Sequence, residues 1–224
     1  DTIRILRQEL ADKVPLIGFA GAPFTLATYL IEGGSSKFFF ETKKMMFANP
    51  ELYSSLLDKI TECTSLYLKA QAGAGAQALQ IFDSWAGALA PRDFEEFAIP
   101  YVRRIISELK KTTDVPIIYF ANNGATLLET SKTSGADVLG LDWRINIDDA
   151  VARVGQDVSL QGNMDPIALL LPPEKLEKRI ENVLEQAKTA RGHIFNLGHG
   201  ILPETPPEQA KLCVELVHKL SLRE

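Results

Sequence analysis

The chain has 224 residues, a formal net charge of −5, 46% hydrophobic and 24% charged residues. That length suits one domain with a sizeable core or two small ones, and the composition is ordinary for a globular protein. The acidic balance gives no footprint for nucleic acid and argues against a membrane surface. No apolar run approaches the roughly 20 residues that span a bilayer.

The first residues, DTIRILRQEL, are charged and helix-like and do not resemble a secretory signal. A short apolar run, LIGFA (16–20), reads as a strand. It opens the stretch GFAGAPFTLATYLIEGG (18–34), in which small residues precede a helix. Tyr29 lies in that helix, where a core position is the default reading for a tyrosine. PELYSSLLDKITECTSLYLKAQ (50–71) predicts a long amphipathic helix burying Leu52, Leu56, Ile60, Cys63, Tyr67 and Ala70. Cys63 and Cys213 both fall in helical patterns and are expected as reduced core thiols, which points to a cytoplasmic location.

ALQIF (78–82) reads as a strand, followed by Asp83 and Ser84. These two residues suit a ligand site and a helix N-cap equally. PIIYFA (116–121) precedes Asn122 and Asn123. DVLGLD (137–142) precedes Trp143 and Arg144, and VSLQGN (158–163) ends in Asn163. PPEKLEKRIENVLEQAKTARG (172–192) predicts a helix burying Leu176, Ile180, Val183, Leu184 and Ala187. HIFNLG (193–198) leads into His199, between two glycines that permit unusual φ and close approach of a ligand. The final helix opens with Thr205, Pro206, Pro207 and Glu208, a capping box.

Six near-continuously apolar strands alternating with helices predict a parallel sheet covered on both faces. Such units build either an open doubly wound sheet or part of a (β/α)₈ barrel. Polar residues directly after most strands favour a barrel, whose active site is a ring of loops at the strands' C-terminal ends. No glycine-rich dinucleotide or phosphate loop supports the alternative, and no GxSxG marks a nucleophile elbow. The histidine and cysteine spacings suit no metal site, and His193 and His218 read as structural. His199 is the candidate for proton transfer or hydrogen bonding.

The segments GFAGAPFTLATYLIEGG, GAQALQIFDSWAG, FAIPYVRRI, GLDW, LQGNMDP and NLGHGI run in the order found in the uroporphyrinogen decarboxylase family, which the chain resembles over nearly its whole length. The resemblance implies an α/β fold, a (β/α)₈ TIM barrel with six of eight strand–helix units in this chain. It implies a cytoplasmic homodimer without cofactor, removing CO₂ from the four acetate side chains of uroporphyrinogen to give coproporphyrinogen. By the same resemblance, His199 contacts a substrate carboxylate and Tyr29 hydrogen-bonds near the reacting acetate. Ser84 binds a carboxylate, and Phe19 and Phe82 are apolar walls against the macrocycle. The family also carries an arginine-rich loop and an aspartate that binds the central pyrrole NH groups, and neither matches here. The expectation is therefore one domain, residues 1–224, covering the family pattern from its third barrel strand onward and inactive alone. Two alternatives are a corrinoid- or thiol-linked methyltransferase of the same fold, which would need zinc, and a non-catalytic protein that kept the fold.

Overall fold

Proline begins several helices, at the position where its missing N–H is no loss and its fixed φ suits the first turn. In the computed structural model, which describes residues 1–34 and 36–221, Pro23, Pro50, Pro91, Pro173 and Pro207 all stand there. Two compact units divide the chain, Asp1–Val138 and Leu139–Glu224.

The first unit runs α1 (Thr2–Leu10), β1 (Ile17–Gly21), α2 (Pro23–Glu32), α3 (Phe40–Ala48), α4 (Pro50–Gly73), β2 (Ala78–Asp83), α5 (Pro91–Phe97), α6 (Ile99–Lys110), β3 (Ile117–Ala121) and α7 (Leu128–Lys132). Its strands pair in parallel, Ala20 opposite Ile81 and Phe82 opposite Phe120. Its core gathers Phe24, Tyr53, Leu57, Leu68, Leu79, Ile81, Ile105 and Ile117, all fully buried. The strand β4 (Val138–Gly140) begins at the end of this unit. The second unit continues with α8 (Ile147–Val154), β5 (Ser159–Met164), α9 (Pro173–Gln186), β6 (His193–Leu197) and α10 (Pro207–Ser221). Here β5 and β6 pair in parallel, Asn163 opposite Asn196. Ile147, Leu160, Leu176 and Ile180 form its core.

Every expected strand is present within a residue or two of its run, but not every strand is covered on both faces. β3 is buried throughout, whereas β1 buries Gly18 and Ala20 and leaves Ile17 and Phe19 exposed, and β6 leaves Ile194 exposed. A continuously apolar run therefore does not establish that protein covers both sides.

The long helix α4 forms as expected but buries a different row. Tyr53, Leu57, Ile60, Thr61, Thr64, Ser65, Leu68 and Gln71 face inward, while Leu52, Cys63 and Tyr67 are exposed. Cys63 is thus not a core thiol; Cys213 is buried, and both are free. In α9 most of the expected row is correct, with Leu176, Ile180 and Val183 inside, and Ala187 just past the helix end also buried; Leu184 is only half-buried. The capping box before α10 does not form: the helix starts at Pro207, and the Thr205 hydroxyl is buried without a hydrogen-bond partner.

Candidate active-site residues

In the first unit the chemistry gathers where β2 ends. Side chains alternate along a strand, so Asp83 shares a side with the buried Leu79 and Ile81, while Phe82 points the opposite way. Asp83 is fully buried. Its Oδ1 accepts the Thr25 hydroxyl at 2.6 Å and its Oδ2 accepts the Tyr119 hydroxyl at 2.9 Å. Burial pushes the Asp83 carboxyl up to about 6, against the pull of these hydrogen bonds. Burial and the facing carboxylate push the Tyr119 phenol well above its ordinary value. No side chain caps the short turn that follows, so neither Asp83 nor Ser84 is its N-cap. Ser84 is half-buried, and its carbonyl accepts from the Asn122 side chain at 3.2 Å.

On the other side of the strands, the Phe19 and Phe82 rings meet edge to face at 5.8 Å, and Phe82 meets Phe120 at 6.0 Å. Phe19 remains 61% exposed, so this aromatic row has an open surface. Tyr29 on α2 is 52% exposed, which removes the core reading. Its ring meets the edge of Trp85 at 6.4 Å.

In the second unit, the segment after β4 lies beside the turn after β6. Gly198 does not have positive φ. Its missing side chain matters because a Cβ there would come within 2.6 Å of the Trp143 backbone nitrogen. Around Gly200 a Cβ would meet nothing within 4 Å. The glycine before His199 thus serves close packing of the chain on itself, not an unusual φ. His199 is exposed, with its ring 6.4 Å from Trp143, edge to face. The Arg144 guanidinium lies 4.0 Å over the Trp143 ring and 3.4 Å from Asp142 Oδ1. Asn163 donates to the carbonyls of Asp142 (2.9 Å) and Ile145 (2.6 Å), which holds that segment in place. A cavity of about 300 Å³ adjoins it, lined by Trp143, Asn163, Asp165, Arg179, Asn182 and Gln186 among others. His193 is structural as expected: Nε2 lies 2.7 Å from the Gly162 carbonyl, and burial lowers its pKa. His218 falls within α10.

The first unit therefore brings Phe19 to Phe82, and Tyr29 to the residue after Ser84; the second sets His199 against Trp143. Sequence reasoning missed Thr25 and Tyr119, which look like ordinary members of apolar runs. The available signal was Asp83 itself, an acid ending a buried strand that must find donors. Among the described residues, no group of three or more His, Cys, Asp and Glu side chains is placed to hold a metal ion.

The family model described as uroporphyrinogen decarboxylase (URO-D) matches residues 1–220. A protein of Desulfotalea psychrophila named uroporphyrinogen decarboxylase is 69% identical over 223 residues, covering 100% of this chain and 65% of the relative. One of Carboxydothermus hydrogenoformans with the same name is 52% identical over 221 residues, covering 99% of this chain and 63% of the relative. The chain thus spans somewhat less than two thirds of the length of these relatives. Among solved structures, a methyltransferase from Methanosarcina mazei superposes with TM-score 0.84 at 22% identity, over 97% of this chain and 62% of the other. A B12-independent methionine synthase from a Shewanella species gives TM-score 0.67 at 10% identity, over 98% of this chain and 64% of the other. These structural likenesses show the fold, α/β of the TIM-barrel class, with six strand–helix units among the described residues. The chain belongs to the uroporphyrinogen decarboxylase family.

Proposed function

We propose that the whole protein removes CO₂ from the four acetate side chains of uroporphyrinogen III, giving coproporphyrinogen III in tetrapyrrole (haem) synthesis. The observation that carries this reading is the 69% identity to a protein named uroporphyrinogen decarboxylase. The reaction needs no cofactor. A proton added to the pyrrole ring makes the ring an electron sink. When the bond to the carboxylate breaks, the electron pair left on the methylene carbon is held by that ring. A second proton delivered to the methylene carbon gives the methyl group, and the ring gives up the first. The protein's part is to orient the macrocycle, bind its carboxylates and manage protons.

In this reading the open Phe19–Phe82 row is the apolar wall for the macrocycle. Tyr29 and Ser84 offer hydroxyls to the reacting acetate and a carboxylate. His199 offers a donor to a second carboxylate, with the Arg144 cation on the same short segment as Trp143. The protein acts in the cytoplasm as a homodimer; among the described residues no helix is long and apolar enough to cross a membrane. The zinc-dependent methyltransferase reading lacks a ligand set among the same residues.

The test is an anaerobic assay of coproporphyrinogen formation by the whole protein, in the presence of a strong chelator and without added flavin, pyridoxal phosphate or thiamine. Product is expected. Tyr29→Phe and His199→Asn should each lower turnover about tenfold or more with an unchanged melting temperature. No product from the folded wild type overturns the function. Normal turnover in either variant removes that residue from the chemistry.

A further inference from the structure

Ser84 and Tyr29 sit on different elements, yet one hydroxyl ties the two together. Thr25 is the third residue of α2, and Tyr29 lies one helical turn further along. The Thr25 hydroxyl has one proton and two lone pairs. Its proton goes to Asp83 Oδ1 at 2.6 Å, and its oxygen accepts the backbone N–H of Trp85 at 3.2 Å. Asp83 and Trp85 flank Ser84, so both neighbours of that serine are bound to the same side chain. The direction of these bonds is not arbitrary. An ionised carboxylate only accepts, and Asp83 also takes the Tyr119 proton at 2.9 Å. Thr25 is therefore left with its lone pairs toward Trp85. Within the helix, the Thr28 hydroxyl donates to the Thr25 carbonyl at 2.7 Å, and the Tyr29 ring rests against Trp85.

A buried carboxylate is an expensive way to fill space. The groups acting on Asp83 are hydroxyls and the Thr25 backbone, with no cation among them. An apolar side chain would pack the same place without desolvating a charge. What it could not do is dictate where the Thr25 proton points.

We propose that Asp83 is a positioning residue: through Thr25 it locks the turn carrying Ser84 against the helix carrying Tyr29, and turnover depends on that lock. The inference rests on the decarboxylase reading above and adds to it a group that does not touch the substrate.

The experiment compares Thr25→Val, which keeps the shape and removes the hydroxyl, with Thr25→Ser, which keeps the hydroxyl. Two readouts are taken on the whole protein: hydrogen exchange of the Trp85 amide, and steady-state decarboxylation. In Thr25→Val the Trp85 amide should exchange about tenfold faster or more, while Ile81 and Phe82 in β2 keep their protection. Turnover should fall about tenfold or more with KM within about threefold, and Thr25→Ser should recover both readouts. Unchanged Trp85 exchange, or turnover within about twofold of wild type, overturns the proposal. If Thr25→Val does not fold, Asp83→Leu, which has no acceptor for the Thr25 proton, decides in the same way: lowered turnover at unchanged KM supports the lock, and normal turnover overturns it. Absence of decarboxylation in the wild type overturns the function reading; the exchange comparison then decides by itself whether Thr25 holds Trp85.

Discussion

At position 83 the folded chain keeps a carboxyl away from water, and its titration carries a sign that can be checked. The Asp83 carboxyl is raised from 3.8 to about 6 by burial, so the native state holds the proton more tightly than the unfolded chain. Its contribution to stability is fully present below the unfolded value and is lost as pH rises through about 6. Asp83→Asn, which cannot ionise, should gain on the wild type between about pH 4 and pH 7.5, by up to roughly 3 kcal/mol. Thermal melts of both proteins at these two pH values measure it; a gap that does not widen would mean that Asp83 is not desolvated. A carboxylate that lowers stability at neutral pH is one way a chain gives up stability for function. Other polar groups at strand ends do simpler work. Asn122, just after β3, and Asn163, near the end of β5, donate to nearby carbonyls, so a polar residue at a strand end, legible in the sequence, does not distinguish a ligand site from a held loop.

At the level of elements, α4 shows how apolar periodicity can point to the wrong row. Its sequence has apolar residues on two adjacent rows, and the exposed row contains Leu52 and Tyr67. The buried row looks polar on paper because it includes Thr61, Thr64, Ser65 and Gln71. Several of those groups satisfy themselves: Thr61 donates to the Leu57 carbonyl at 2.7 Å and Ser65 to the Thr61 carbonyl at 2.8 Å. Gln71 donates to the Phe19 carbonyl at 2.8 Å. A hydroxyl bonded to its own helix can be buried at little penalty, which composition alone does not reveal. Leu57→Ala should therefore cost about 2–5 kcal/mol, and Leu52→Ala within about 0.5 kcal/mol. Denaturant unfolding of the two variants is the check, and equal losses would place the buried row elsewhere. The strands were easier to read, because short apolar runs bounded by polar residues have few other uses.

For the whole chain, the alternation of strands and helices gave the α/β class, and the polar strand ends favoured a barrel over a doubly wound sheet. The TM-score of 0.84 to a solved methyltransferase agrees with that class. The candidate residues came from motifs, whereas Thr25 and Tyr119 are defined only by what the fold sets beside them. The two cysteines carry a last consequence. One lies in each unit, Cys63 exposed and Cys213 6% exposed, with burial raising the Cys213 thiol and so thinning its reactive thiolate. The chain thus contains its own pair of chemical clocks. Brief treatment of the native protein with a maleimide, read by peptide mass spectrometry, should label Cys63 about tenfold faster or more than Cys213, and denaturant should erase the difference. Equal labelling of the folded protein would mean that α10 opens on the timescale of the reagent, and its attachment to the second unit would then be set by breathing of that helix.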